Sequence, residues 1–250
     1  MMKGNIGFRR QTMKLEQQRV LIVGGTSGFG KAVAQQALQA GAQVHIIGHQ
    51  QAHVDTTIAQ LRTLGVIKGT ALDAQSEAAL TAFFEQQSPF NHVLSFLGGA
   101  MGGGFLDNSV ATIRQAIEDK FFANLQLSKM AATHLIDGGS LILTSGAGGH
   151  PADASGAIIG NQAINTLVAG LAVEMAPHYR VNAVAPTWTP TGLWRQLTPQ
   201  AIQEQSAAFA KGVPLQRVAT KDEVASAYLY LMSNDFVTGQ VLHVDGGVDL

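Results

Sequence analysis

Residues 20–38 read VLIVGGTSGFGKAVAQQAL, which is an apolar run, a glycine-rich turn and a segment with helical periodicity. Gly24, Gly28 and Gly30 give the spacing G-x-x-x-G-x-G. The helix that follows directs its free N–H groups and the positive end of its dipole toward this turn. The arrangement predicts an anion-binding site, and a pyrophosphate is its natural occupant.

The same turn nearly matches the G-x-x-x-x-G-K-[ST] loop of nucleoside triphosphatases, because residues 25–31 read GTSGFGK. The next residue is Ala32, which has no hydroxyl to ligate magnesium. The sequence therefore favours a dinucleotide over a nucleoside triphosphate.

Apolar runs that suit buried parallel strands recur along the chain, and stretches with helical periodicity separate them. The predicted strands are 20–25, 43–48, 67–72, 92–99, 140–145, 180–186 and 240–247. The predicted helices are 31–40, 52–64, 76–87, 109–136, 157–176 and 222–232. This alternation predicts the α/β class, with a Rossmann-type, doubly wound parallel sheet of seven strands and three helices on each face. We expect residues 1–13 to be a loosely ordered leader and residues 14–250 to form a single domain.

Composition narrows the possible functions. Of 250 residues, 46% are hydrophobic and 13% charged, and the formal net charge is −1. Such a chain can bury a large core, and it has no electrostatic basis for binding nucleic acid or an anionic membrane. It contains no cysteine, which excludes disulfides and cysteine metal sites. The basic leader lacks an apolar stretch, so we predict no secretory signal and a cytoplasmic location.

Residues 154–173, ASGAIIGNQAINTLVAGLAV, contain no ionisable side chain and are long enough to span a bilayer. The amides of Asn161, Gln162 and Asn165 would make insertion costly. We therefore predict a buried helix of the α/β domain and no membrane span.

Glycine clusters follow the first, fourth and fifth predicted strands and read GGTSGFG, GGAMGGG and GAGG. Open α/β sheets bind ligands at the carboxyl ends of their strands, where glycine lets the backbone approach a ligand closely. The three clusters thus predict one ligand site at a single edge of the sheet.

The ordered series of motifs resembles the short-chain dehydrogenase/reductase family. The family signature T-G-x-x-x-G-x-G has Val23 in place of its Thr here, and FLGG at 96–99 occupies the place of Asn-Asn-Ala-Gly. Residues 173–186, 214–225 and 237–247 are similar to later family motifs. The resemblance implies hydride transfer between a nicotinamide dinucleotide and a carbonyl or alcohol carbon of a small molecule, and self-association as a homodimer or homotetramer.

The resemblance also implies which residues hold the cofactor, with Asp73 and Ala74 near the adenine and Thr191 at the nicotinamide carboxamide. The full set is Gly24, Thr26, Ser27, Gly28, Phe29, Gly30, His49, Asp73, Ala74, Gly98, Asn161, Pro186 and Thr191.

The end of the second predicted strand reads IIGHQQAH and contains no acidic residue. NAD-specific relatives carry an acid there to bind the ribose hydroxyls. His49, helped by Lys31 or His53, can donate to a 2′-phosphate, or it is simply a surface histidine. We favour NADP(H) over NAD(H). A strand and turn would scatter His45, His49 and His53, so no metal site is predicted.

Relatives protonate the substrate with a Tyr whose pKa is lowered by a Lys four residues later, while a Ser holds the substrate oxygen. Here the resemblance places Ala157, Asn161 and Gly146 at these positions, and no Tyr, Lys or Arg occurs between Met130 and His178. The place of the active site is therefore retained without its usual acid–base pair.

Several residues are candidates for the missing chemistry. Ser145 can hold a substrate oxygen, Asn124 matches the family's active-site Asn, and His150 has a suitable pKa for proton transfer near neutrality. Lys120 lies one helical turn before Asn124, so we expect both on one face. Lys120 is either a proton source acting through water or a solvated lysine. Asn161 can bind a water or the ribose hydroxyl.

Two functions fit these observations. The first is an atypical NADP(H)-dependent oxidoreductase acting on a carbonyl or alcohol of a small, apolar substrate. The second is a catalytically silent NADP(H)-binding protein with a sensing or regulatory role. By resemblance, residues 188–212 form a lid over the substrate, although a packed insert is an alternative. Trp188 and Trp194 in that segment suggest an apolar or aromatic substrate.

Overall fold

Seven parallel strands form one sheet in the order β3-β2-β1-β4-β5-β6-β7 in the computed structural model, which describes residues 15–250. The strands are β1 (Arg19–Val23), β2 (Gln43–Gly48), β3 (Ile67–Ala71), β4 (Phe90–Ser95), β5 (Leu135–Thr144), β6 (Arg180–Pro186) and β7 (Val241–Val244). The predicted doubly wound parallel sheet is therefore confirmed. The direction of strand order reverses between β1 and β4, which is where such sheets bind ligands. The predicted leader, 1–13, lies outside the described residues.

Helices cover both faces of the sheet because successive side chains of each strand point to opposite sides. The helices are α1 (Gly28–Gln39), α2 (Gln51–Leu61), α3 (Glu77–Glu85), α4 (Val110–Ile117), α5 (Ala123–Ala132), α6 (Ser155–Glu174), α7 (Pro199–Ala210) and α8 (Lys221–Ser233). Val20 and Ile22 of β1 pack with α1, α2 and α8, whereas Leu21 and Val23 pack with α3, α5 and α6.

The predicted helix at 109–136 differs from the structure in two ways. A π-helical turn, Glu118–Phe122, separates α4 from α5, and α5 ends at Ala132. Strand β5 then begins at Leu135, ahead of the predicted start at 140. The apolar side chains of Leu135 and Ile136 continue the periodicity of α5, so hydrophobic pattern alone did not separate helix from strand.

Helix α6 is the segment whose length and composition would suit a membrane span, because its most apolar window of 18 residues has a mean hydropathy of 1.4. In the fold its inner face packs on the sheet, where Ile164, Val168 and Ala172 are buried with strands β5 and β6. Only 28% of that window is buried, and Val173 on the outer face is 77% exposed. The prediction of a buried helix thus holds for the inner face alone.

Arg180, at the start of β6, joins the sheet to the end of α8. Its guanidinium donates to the carbonyl oxygens of Leu231 and Met232 at 2.7 and 3.0 Å, and to that of Val237 at 3.3 Å. These contacts satisfy helix-terminal carbonyls that have no partner within the helix.

Candidate active site

A cavity of about 1010 Å³ runs along the carboxyl ends of the strands, across the point where the strand order reverses. Its walls include every residue predicted to hold the cofactor: Gly24, Thr26, Ser27, Gly28, Phe29, Gly30, His49, Asp73, Ala74, Gly98, Asn161, Pro186 and Thr191. The sheet therefore brings together in space residues that are far apart in sequence.

The glycine turn supports α1 directly at one end of this cavity. Gly24 has a φ of +87°, and a Cβ added to Gly30 would lie 2.3 Å from the Gly24 carbonyl oxygen, closer than any side chain permits. Ser27 is the N-cap of α1 but makes no side-chain capping bond, so its hydroxyl leaves the first helical amides free. Free amides at a helix N-terminus fit an anionic group such as a pyrophosphate.

Polar and basic side chains surround the ends of β2 and β3. His49, His53 and Lys31 line the cavity there, and the Lys31 ammonium donates to Gln60 Oε1. Asp73 accepts a hydrogen bond from the Gln75 amide at 3.0 Å and is the only acidic residue on the cavity wall among residues 15–250. This end of the cavity is thus basic at β2 and acidic only at the end of β3.

Ser145 and Asn161 lie on the wall at the other end, beside Ala157. The Ser145 hydroxyl is 2.6 Å from Asn165 Oδ1 and 3.1 Å from the Asn161 carbonyl oxygen, so α6 fixes its orientation. A Cβ added to Gly146 would lie 2.5 Å from Asn161 Nδ2. The amide of Asn161 therefore occupies the space that a side chain at position 146 would need.

Asn124 and His150 do not line the cavity. Asn124 is 1% exposed and donates through Nδ2 to the Lys120 carbonyl oxygen at 2.6 Å, while its Oδ1 has no hydrogen-bond partner among the described residues. His150 is exposed, and its Nδ1 accepts from the Ala152 amide at 3.1 Å. The catalytic role predicted for His150 therefore has no support from this geometry.

Lys120 does line the cavity. Its side chain passes across α6, since a Cβ added to Gly160 would lie 2.9 Å from Lys120 Cγ, and it reaches the turn after β4 at Gly98. Burial lowers the pKa of Lys120 to about 8. Among residues 15–250 its ammonium has no hydrogen-bond or ion-pair partner.

Other buried titratable groups lie away from the cavity wall. Tyr228 is fully buried, which raises the pKa of its phenol, and its oxygen lies 2.6 Å from Thr144 Oγ1 behind the wall. Burial also lowers the pKa of His92 to about 3, and this residue bonds Ser140 and Gln18 at the far ends of the strands. Neither group replaces a Tyr at position 157.

The segment after β6 covers the cavity with aromatic side chains. Trp188 donates through Nε1 to Ser206 Oγ of α7 at 3.0 Å, and Trp194 donates to the Thr189 carbonyl oxygen at 3.1 Å. The segment also reaches back to the glycine turn, where Gly192 lies near Ser27. Arg195 and Met101 also line the cavity. They lie within the predicted lid and the predicted glycine cluster GGAMGGG, but the sequence analysis did not single out either side chain.

Comparisons with known proteins agree with this architecture. The sequence model of a family described as enoyl-(acyl carrier protein) reductase matches residues 23–249. The short-chain dehydrogenase/reductase fsr5 of Gibberella fujikuroi is 30% identical, over 94% of this chain and 95% of its own. The chain belongs to the short-chain dehydrogenase/reductase family. Its relatives include a 3alpha-hydroxysteroid dehydrogenase of Mediterraneibacter gnavus, 30% identical over 94% of this chain and 98% of the relative.

Solved structures of short-chain dehydrogenase/reductases share the fold. The MalC reductase/Diels-Alderase of Malbranchea aurantiaca superposes with a TM-score of 0.84 at 25% identity, covering 95% of this chain and 99% of the other. A family member from Mycobacterium marinum gives 0.86 at 24% identity, covering 95% and 97%. As a short-chain dehydrogenase/reductase, the protein is an NAD(P)-dependent oxidoreductase acting on a carbonyl or alcohol group.

Proposed function

We propose that this protein is an NADP(H)-dependent carbonyl reductase that acts on a small, apolar substrate without the Tyr and Lys of its family. The observation that carries this proposal is the continuity of one cavity, which joins an anion-binding helix end to a chamber roofed by two Trp residues. A binding protein with no turnover would need only the first of these parts.

The glycine turn suits the cofactor's pyrophosphate. In this pyrophosphate cradle a Cβ at Gly30 would clash with the Gly24 carbonyl oxygen, so glycine lets the turn pack against α1, whose first amides supply donors for negative charge. Asp73 and Ala74 would contact the adenine, and Thr191 the carboxamide. When bound, the reduced nicotinamide supplies the hydride for the carbonyl carbon.

The basic end of β2 supports NADP(H) over NAD(H). His49 takes the place of the acid that would bind free ribose hydroxyls, with Lys31 and His53 on the same wall. A 2′-phosphate there meets donors and no carboxylate from β2. Charge-assisted hydrogen bonds of this kind are roughly twice as strong as neutral ones.

The substrate would lie between Ser145 and the lid at residues 188–212. Apolar contact with Trp188 and Trp194 supports a substrate with an apolar or aromatic body. Ser145 rotates its hydroxyl from Asn165 to the substrate oxygen, or accepts from it, because a hydroxyl both donates and accepts.

Members of this family are typically oligomeric, and we propose a homodimer or homotetramer. Helices α4 and α6 and the turn between α4 and α5 present exposed apolar side chains that include Val110 at 72%, Phe122 at 48% and Val173 at 77%. Apolar surface of this kind is favourable to bury against another subunit. A sedimentation mass of one chain would contradict this assembly.

Two measurements test the function. Titration calorimetry should give a lower Kd for NADPH than for NADH, and the reverse order would overturn the cofactor assignment. Stopped-flow absorbance at the reduced-nicotinamide band should show turnover with apolar ketones or aldehydes. Tight NADPH binding with no turnover of any carbonyl would instead make the protein a cofactor-binding regulator.

A further inference from the structure

The ammonium of Lys120 reaches the active-site chamber along a passage between two glycines. The passage crosses α6 at Gly160, where an added Cβ would lie 2.9 Å from Lys120 Cγ and 3.0 Å from its Cβ. It ends at Gly98, where an added Cβ would lie 2.4 Å from Cδ and 3.3 Å from Nζ. A side chain at either glycine would close this passage, so both positions accommodate the lysine.

The backbone also places Lys120 in the chamber. It lies in the π-helical turn Glu118–Phe122, whose wider winding changes the direction of its side chain relative to a regular helix. The Lys120 carbonyl oxygen accepts from the side-chain Nδ2 of Asn124 at 2.6 Å, which anchors this turn to α5. Single-turn π-bulges of this kind occur often at functional sites.

The charges around Lys120 do not neutralise it. Helix α6 faces it with Gly160, and the turn after β4 faces it with Gly98, so neither element brings a charged side chain to it there. On its own helix, Asp119 accepts from two glutamine amides, whereas Arg114 and Glu118 are exposed. Across the cavity the charged lid residue is Arg195, which adds no negative charge.

This environment suits a proton donor near neutrality. Although part of the Lys120 side chain is accessible from the cavity, burial lowers the pKa of its ammonium to about 8. An acid with a pKa close to the working pH is charged in the resting enzyme and still gives up its proton readily. A fully solvated lysine has a pKa near 10.4 and is a weaker acid.

We propose that Lys120 is the catalytic acid of this enzyme and takes the role of the absent Tyr. The inference rests on the proposed carbonyl reduction. As the carbonyl carbon accepts the hydride, the C=O π pair moves onto oxygen. An N–H bond of the Lys120 ammonium breaks while the O–H bond of the product alcohol forms. The neutral amine left behind is reprotonated by solvent water through the cavity mouth.

Two variants and a control test this role. Lys120→Met removes the acid and keeps the apolar stem, and Lys120→Arg keeps the charge on a group that does not deprotonate. Lys129→Met, on the exposed side of α5, is the matched control. With a turned-over ketone we expect about 10²–10⁴-fold lower kcat for both Lys120 variants, as for loss of general acid catalysis. The Kd for NADPH should change less than about threefold in all three, since none of them alters the pyrophosphate cradle.

The pH dependence gives a sharper result than the rate alone. The reduction kcat of the wild type and of Lys129→Met should be level below about pH 8 and fall above it. This limb should be absent from both Lys120 variants. Independently of turnover, the ¹³Cε resonance of ¹³C-lysine-labelled protein that disappears in Lys120→Met should titrate with a midpoint near pH 8 in the wild type.

Failure of this inference is distinguishable from failure of the proposed function. If Lys120→Met turns over at the wild-type rate and its kcat falls above the same pH, the role of Lys120 would be overturned and the reductase function would stand. A ¹³Cε midpoint above pH 10 would also overturn it. Absence of carbonyl turnover in the wild type, with NADPH bound, would overturn the reductase and the acid together.

Discussion

The indole rings of Trp188 and Trp194 lie against each other in the cavity wall, with centroids 4.1 Å apart and planes inclined by 37°. These are the two Trp residues of the chain. Their emission therefore reports on the segment that covers the cavity, and reduced nicotinamide absorbs in the band where indole emits.

When the Trp residues are excited at about 295 nm, we expect bound NADPH to quench their emission and to gain sensitised emission of its own. The indole donors and the nicotinamide acceptor would lie in one cavity. Trp188→Phe and Trp194→Phe should each retain part of the quench. A fluorescence titration checks this, and NADPH binding seen by calorimetry without any change in emission would contradict it.

Replacement of Gly30 by Ala should destabilise the protein and weaken cofactor binding together. The added Cβ would lie 2.3 Å from the Gly24 carbonyl oxygen. All the atoms it meets belong to the backbone, so no side chain can rotate away to relieve the clash. Overpacking of this kind costs about 1–3 kcal/mol. Urea unfolding and NADPH calorimetry measure the two effects. Gly170→Ala is the control, because its Cβ meets only Glu174 Oε1 at 3.9 Å.

Replacement of His49 by Glu should reverse the nucleotide preference. A carboxylate at the end of β2 repels a 2′-phosphate and accepts from ribose hydroxyls. We expect at least about tenfold weaker binding of NADPH, or ~1.4 kcal/mol, with NADH binding equal or improved. Competitive calorimetry checks both. His178→Gln, an exposed histidine paired with Asp137, should leave both affinities unchanged.

Replacement of Arg180 by Met should be costly although the residue is far from the cavity wall. It would leave the carbonyl oxygens of Leu231 and Met232 without their charged donor, at a cost of about 2–4 kcal/mol. Arg217→Met breaks an exposed ion pair with Glu223 that water screens, so it should destabilise the protein much less. Chemical denaturation of both variants tests this contrast, and equal losses would contradict it.

Lys120→Met should stabilise the fold at neutral pH. A lowered pKa in the folded state means that folding opposes the charged ammonium, and the penalty is complete below about pH 8. It disappears as the pH rises toward the unfolded pKa near 10.4. We expect a gain on the order of 2 kcal/mol at pH 7 that shrinks between pH 8 and 10. Thermal midpoints across this range measure it, and a constant difference would contradict the assignment.

Much of the fold was predictable because local signals agreed. The glycine spacing after β1 and the continuous apolar runs of β2 and β6 indicated a parallel sheet, and the glycine clusters indicated its ligand edge. The predicted start of β5 was wrong because Leu135 and Ile136 fit the pattern of a helix and of a strand equally well.

The detailed site was less predictable because it depends on one irregular turn. Lys120 lies in the π-helical turn between α4 and α5, and Asn124, at the start of α5, donates through Nδ2 to its carbonyl oxygen. The Lys120 side chain lines the cavity, whereas that of Asn124 is buried. No single-sequence propensity marks such a turn, and the glycine at 160 that accommodates Lys120 is far away in sequence.

The π-helical turn at Glu118–Phe122 has a consequence for how this enzyme can be altered. A π-bulge is in effect a one-residue insertion into an α-helix, so removing one residue there would restore regular winding. Each residue of an α-helix turns by about 100°, and the shortened helix would swing position 120 off its present line by roughly that angle. The number of residues in this turn, as much as the identity of residue 120, thus sets whether an ammonium side chain lies in the chamber.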